Sequence, residues 1–315
     1  MVRQPKPRVD ATILIVAGGN DLHALAVKRE LEVMGRPALF LACDKLRDFR
    51  LNDDLRGHAS VTIDSQELRV SDLKTIWWRR PSLNQRLPDC DNYRADELDF
   101  INRNSTATLK SMLLAEFRGR WVSSPVETER AADKMYQLRL ARQHGFRVPE
   151  TLVSNDPRAV RAFHDAHLGG VIIKAARSSG QIFLATERFD IASTDDRQIE
   201  LVPSVYQELI PGTRHLRINC FGKALHTALI ETEDLDWRPN LNVPISAYEL
   251  EDNLKDRITS LLEAFKLETG IMDVKLTDDG EPVWFEINPQ GQFLFLEPLT
   301  GQPLLSSFAR FLAES

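Results

Sequence analysis

The sequence predicts an α/β domain followed by α+β lobes, and three observations predict it. The chain opens with a strand, a helix and a second strand on short joints. Its second half interleaves helices with strands, and from Val205 onward it is strand-rich. At 315 residues it is too long for one small core. In order, Thr12–Ala17 (TILIVA) is a continuous apolar run, followed by Gly18-Gly19-Asn20 and a helical pattern over Leu22–Met34 that Gly35 stops. Pro37–Ala42 (PALFLA) reads as the next buried strand, so the unit is βαβ and its pairing parallel. A strand at Thr75–Arg79, a long helix over Asp96–Phe117 and a strand at Trp121–Ser123 complete a doubly wound domain.

A second unit begins near Pro125. Glu127–His144 carries one helical pattern ending at Gly145, and Asp156-Pro157 starts another helix as cap and first turn. Strands are expected at VPETLVS, GGVIIK, QIFLATE, VYQELI, HLRINCF and ALHTALIE, with helices over Leu250–Glu268 and Leu304–Leu312.

Composition excludes several functions. Charged residues make up 27% and hydrophobic residues 43%, which rules out a disordered or low-complexity chain. A formal net charge of -6 argues against general nucleic-acid binding. The three cysteines, Cys43, Cys90 and Cys220, form no CxxC and no disulfide framework, which points to a reducing compartment. No apolar run approaches a membrane span and no signal-peptide pattern opens the chain, so a cytoplasmic protein without a membrane partner is expected.

Ile271–Asn288 (IMDVKLTDDGEPVWFEIN) is the most informative stretch. Asp279-Gly280 signals a two-residue hairpin turn. With those two at the tip, Leu276 opposes Val283, Val274 opposes Phe285 and Met272 opposes Ile287 on an apolar face. On the other face Lys275 opposes Trp284, Asp273 opposes Glu286, and Asn288 points the same way as Glu286. Two carboxylates so placed stand about 5 Å apart at Cβ and repel. A hard divalent cation held by two carboxylates and an amide oxygen would offset that repulsion. A solvated face with Lys275 neutralising one acid is the other reading.

The run from Asp273 to Phe293 (DVKLTDDGEPVWFEINPQGQF) resembles the metal-binding hairpin of ATP-grasp ligases, in the branch related to ribosomal-protein glutamate ligases. Its ending, with Thr300-Gly301-Gln302-Pro303 soon after, is similar to the macrocyclases that make graspetides. Asp236-Trp237-Arg238-Pro239-Asn240 is similar to the D-[FW]-R-x-N segment of that branch, and Trp77-Trp78-Arg79-Arg80-Pro81 to an aromatic-Arg-Arg-Pro run of the macrocyclases. The resemblance implies an ATP-grasp fold: a doubly wound, Rossmann-like N-terminal domain over 1–124, then two α+β lobes over 125–204 and 205–315 that clamp ATP. It implies ATP and Mg²⁺ as cofactors, with Asp273, Glu286 and Asn288 holding the metal. It further implies a ribosomally made precursor peptide as partner, its Asp or Glu side chains activated as acyl phosphates and joined to Ser, Thr or Lys in rings, and a homodimeric enzyme.

The same resemblance places Lys134 and Lys174 at the phosphates. Lys174 ends an apolar strand just before the small-residue run Ala175–Gly180, which suits a flap over phosphates. It places Gln207, Glu208, Leu209 and Ile210 in a hinge against adenine, and His215 where the branch carries an acidic ribose contact. Arg238 is expected to act on the reacting phosphoryl group, a task suited to a planar guanidinium, and Asn240 to lie nearby. No general base is identifiable. Gly18-Gly19 lacks a full GxGxxG and reads as a turn. His164 and His167 share a helix face without a third ligand. Arg79 and Arg80 either cap a strand or meet an acidic peptide. An intermolecular ligase adding an amino acid, or a nucleotide-binding module without chemistry, would share the same ATP residues.

Overall fold

β1 (Ile13–Ala17) is buried at every residue, as a strand covered on both faces is. The computed structural model describes residues 12–45, 48–81, 92–174 and 186–314; Ala175–Gly180, most of the QIFLATE strand and Cys90 lie outside these. α1 (Leu22–Val33) starts where the Asp21 carboxylate accepts the Ala24 N–H at 3.0 Å, and β2 (Ala38–Ala42) returns parallel to β1. A small antiparallel sheet follows that was not expected: β3 (Phe49–Asn52), β4 (Ser60–Ile63) and β5 (Gln66–Arg69). β6 (Thr75–Trp78) pairs parallel to β1, α2 spans Ala95–Glu116, and β7 (Arg120–Val122) pairs parallel to β6. The sheet order β2-β1-β6-β7 is that of a doubly wound sheet. The Gly18-Gly19 turn is held by Asp44, whose carboxylate accepts the Gly19 N–H at 2.6 Å.

The helix expected over 127–144 is two helices. α3 (Pro125–Ala131) stops, and α4 (Lys134–Gln143) begins again at Asp133, whose side chain accepts the Tyr136 N–H at 2.8 Å. An aspartate with this reach favours a helix start over a helix interior. The break makes Lys134 the first residue of α4.

β8 (Thr151–Ser154), α5 (Pro157–Ala166), β9 (Val171–Lys174), β10 (Glu187–Arg188), α6 (Asp196–Leu201) and β11 (Ser204–Glu208) follow, and the strands form a sheet in the order β10-β9-β11-β8. β12 (Arg214–Phe221), β13 (Ala224–Glu231), β14 (Ile245–Tyr248), α7 (Asp252–Ala264), β15 (Thr269–Leu276) and β16 (Pro282–Asn288) build the third large sheet, β14-β13-β12-β15-β16. One face of that sheet (Leu216, Ile218, Met272, Val274, Ile287) packs on α4 and α7. The chain closes with α8 (Glu297–Thr300) and α9 (Leu304–Ala313), and α9 docks onto α1 and the first sheet through Phe308, Phe311 and Leu312. Cys43 and Cys220 are buried. Among the described residues no helix is long and apolar enough to cross a membrane.

The hairpin turn differs from expectation. Thr277 N–H donates to Glu281 C=O at 3.0 Å, so three residues, Asp278, Asp279 and Gly280, form the tip. Of these only Gly280 has positive φ, at 87°, whereas the two-residue turn needs it at both centres. The extra tip residue shifts the near pairs to Lys275 opposite Val283 and Val274 opposite Trp284. A bulge at Phe285 then restores the register, and Asp273 stands opposite Glu286 as expected. Trp284 therefore faces the core, 0% exposed, instead of the polar face, and Phe285 leaves the apolar face.

Gly280→Ala is expected to destabilise the chain by about 1 kcal/mol, and Gly280→Asn by less, since asparagine tolerates the left-handed region. Denaturant midpoints of the two variants check this.

Candidate active site

Side chains on a strand alternate, so the second face of the third sheet carries His215, Arg217 and Asn219 from β12 beside Lys275, Asp273 and Ile271 from β15. Arg217, Asp273 and Glu286 form one row across three strands. The Arg217 guanidinium donates to both Asp273 oxygens, at 2.9 and 3.3 Å. Arg238, on the loop after β13, lies 3.6 Å from Glu286 and grips Asp236 with two bonds of 2.7 and 2.9 Å. The positive charge over the acid pair is therefore arginine, and Lys275 does not neutralise either acid. It donates instead to the Ile210 carbonyl at 3.0 Å.

One cavity gathers most of the residues singled out in the sequence. Lys134, Lys174, Gln207, Glu208, Leu209, Ile210, His215, Arg238, Asp273 and Glu286 all line it. Asn240 and Asn288 do not. Asn240 is exposed, its amide bonded to Asp234 at 3.3 Å and its oxygen accepting the Asn242 N–H at 3.1 Å. Asn288 shares the Glu286 face, but its oxygen accepts the Gln290 N–H at 3.0 Å. His164 lies in the last turn of α5 and His167 just past its end, where the His167 ring is 2.7 Å from the Phe163 carbonyl.

Each wall has a local cause. Gln137, three residues into α4 from Lys134, bonds both backbone groups of Ile287 at 2.9 and 3.1 Å, which docks the helix start against the acidic strand. The hinge is pinned on several sides. Gln207 donates to the Thr151 hydroxyl at 3.0 Å, Leu209 N–H to Gly170 C=O at 3.0 Å, and Glu208 accepts the Glu150 N–H at 3.1 Å. Arg147 bridges Glu208, at 3.5 Å, and Glu281 at the hairpin tip, at 2.5 Å. Arg147 and Arg217 were not anticipated, and Phe285, expected on the apolar face, lines the cavity instead. Arg217 becomes legible only once β12 is known to pair with β15, a contact between distant segments.

Burial and neighbouring charges together set the ionisation states. Burial pushes the Lys174 ammonium down to about 8, Lys134 and Arg238 adding to the shift and Glu286 opposing it. Burial, with Lys275, pushes His215 down to about 4, so its ring is neutral near pH 7; its Nε2 is buried without a protein partner. Asp236 holds the Arg238 guanidinium above its ordinary value. Burial is the main reason that the Asp273 carboxyl is raised, with Arg217 opposing and Glu286 adding. Among the described residues no three His, Cys, Asp or Glu side chains cluster as a metal site. The oxygen donors present, two opposed carboxylates whose charge is partly offset by arginine, suit a hard cation such as Mg²⁺.

No protein-family model matches the chain, and no curated protein does. Solved structures do. The macrocyclase MdnC of Microcystis aeruginosa MRC, bound with its precursor peptide MdnA, is 25% identical with a TM-score of 0.85 over 96% of this chain and 99% of that one. A RiPP-associated ATP-grasp ligase of Chryseobacterium gregarium, in complex with ADP and a leader and core peptide, is 21% identical with a TM-score of 0.86 over 96% and 97%. The ATP-grasp ligase PsnB, complexed with a phosphomimetic precursor variant, Mg and ADP, is 22% identical with a TM-score of 0.81 over 97% and 99%.

A carboxyl raised in the folded chain contributes stability at low pH that is lost as pH rises through its folded value. Without metal, Asp273→Asn is thus expected to melt no lower than the parent at neutral pH. Its advantage should shrink on acidification through the raised value, as paired thermal melts across that range would read. Nearly end to end, the chain has the ATP-grasp fold of peptide macrocyclases and ligases, as its closing hairpin implied.

Proposed function

We propose that the chain is an ATP-dependent peptide macrocyclase. It phosphorylates Asp or Glu side chains of a ribosomally made precursor peptide and closes ester or amide rings with Ser, Thr or Lys of the same peptide. The observation that carries this reading is the convergence of ten of the twelve residues singled out in the sequence on one cavity that the opposed acids line. The full-length likeness to enzymes crystallised with precursor peptides supports it. We divide the chain as 1–124, 125–204 and 205–315, with β11 reaching from the third stretch to the sheet of the second. A leader segment on the peptide and a homodimeric enzyme belong to the same reading.

Asp273 and Glu286 would hold Mg²⁺, with Asn288 on the same face. The ion would neutralise phosphate charge and orient the terminal phosphoryl group. Gln207–Ile210 and His215 would seat the nucleoside, and Lys134 and Lys174 the phosphates. Lys174 is suited to this because its ammonium, destabilised by burial, is stabilised against an anion. The peptide carboxylate attacks the terminal phosphorus, and ADP leaves with the electrons of the broken P–O bond. Arg238 stabilises the charge spread over the transferring group. A hydroxyl or amine of the peptide then attacks the acyl carbon, phosphate departs, and the nucleophile loses its proton.

The test is incubation with ATP, magnesium and a short peptide encoded beside the gene that has a Thr/Ser- and Asp/Glu-rich tail. The expected result is loss of one water per ring with one ADP released. A gain of one residue in mass would mean an intermolecular ligase, and nucleotide binding without carboxylate-dependent ADP release a non-catalytic module. Arg238→Met should lower kcat on the order of 10²–10³-fold, and Asp273→Asn should abolish turnover.

A further inference from the structure

In open α/β sheets the crevice outside the C-terminal ends of the strands, where strand order reverses, is the usual ligand site. Here β1 and β6 flank that point, and the chain's own loop after β16 fills it. Arg79, directly after β6 and 2% exposed, donates to the carbonyls of Gln290 at 2.5 Å and Gly291 at 2.8 Å, while Asp21, after β1, pairs with it at 3.2 Å. Arg80 donates to the Gln290 carbonyl at 2.7 Å, and the Gln290 amide returns a bond to the Trp78 carbonyl at 3.0 Å. His23 of α1 accepts the N–H groups of Phe293 and Leu294 at 2.9 and 3.1 Å. Between these, the Gln292 carbonyl accepts from Arg217 at 3.2 Å, and the same guanidinium holds Asp273. The loop has no room to slide, since a Cβ on Gly291 would lie 2.5 Å from the Ile271 side chain, two residues from Asp273.

We infer that Arg79 and Arg80 are positioning residues for the acid pair, fixing the exit loop of β16 and, through Arg217, the carboxylate of Asp273. This rests on the ligase reading above. It assigns the N-terminal sheet a part in metal binding that no contact with the metal would reveal. A guanidinium suits the task because Arg79 holds Asp21 through Nε while its Nη1 meets both carbonyls, a fork of fixed geometry that an ammonium lacks. If the arginines served only to attach the first sheet, their loss would lower stability and leave metal affinity alone.

The experiment titrates Mn²⁺ into the full chain with ADP present, followed by electron paramagnetic resonance, with melting temperature recorded alongside. The parent is measured first, and absence of ADP-dependent Mn²⁺ binding there would sink the ligase reading itself. Given parent binding, Arg80→Met, an exposed side chain, and Arg79→Lys, which keeps charge but loses the fork, should each weaken Mn²⁺ binding about tenfold or more. Arg80→Met should melt near the parent. Parent-like Mn²⁺ affinity in folded Arg80→Met overturns the inference, and that variant decides alone if Arg79→Lys does not fold.

Discussion

The repulsion between Asp273 and Glu286 organises the site. Two carboxylates directly across a ladder, one of them in a largely buried row, raise the free energy of the empty fold unless cations stand nearby. The chain supplies two arginines from different directions, Arg217 from the neighbouring strand and Arg238 from the loop after β13. The Asp273 carboxyl nonetheless remains above its ordinary range, chiefly through burial, with Glu286 adding to the shift and Arg217 opposing it. What is left is an electrostatic demand that a divalent cation satisfies better than a guanidinium can.

The rest of the cavity answers the same demand from the opposite sign. Lys134, Lys174 and Arg238 converge on it, and the first two reinforce each other's repulsion. An ammonium buried near two other cations is poised for a polyanion. Opposed acids beside gathered bases describe a place for a metal-bound polyphosphate, which neutralises both groups at once. Asp236 keeps Arg238 ionised and aimed, while Arg147 pairs with Glu208 at the end of β11 and with Glu281 beside the hairpin tip, so an ion-pair bridge joins the two sheets that line the cavity.

Much of this was legible where the determinants are local. β1, α1 and β2 announced themselves by periodicity and by Gly35, and α5 by Asp156-Pro157. The pair Asp273–Glu286 followed from alternation along a hairpin. What escaped depends on distant contacts or short weak patterns. β3 to β5 are four-residue strands, too short for their alternation to stand out, and the split between α3 and α4 hangs on one capping aspartate. Arg79 and Arg80 admitted two readings because their partners are carbonyls more than two hundred residues away, and carbonyls leave no mark in a sequence.

The hairpin shows how a correct pairing can rest on an incorrect turn. Three tip residues instead of two would, on their own, have moved every side chain beyond them to the wrong face. The bulge at Phe285 cancels that shift, and packing selects it. The Trp284 side chain is wholly buried and stacked on Phe265 at 6.3 Å, and the Trp284 backbone N–H donates to the Arg147 carbonyl at 2.9 Å. Ile287 is held on both backbone groups by Gln137. With both ends of β16 anchored to the core, the extra residue has nowhere to go but out of the ladder between them. It leaves toward the cavity, where the Phe285 ring lies 5.6 Å from the Lys174 ammonium and its π face can stabilise that cation. The irregularity that preserves the acid pair thus also places an aromatic surface under the lysine, and core packing, more than the turn, sets the geometry of the site.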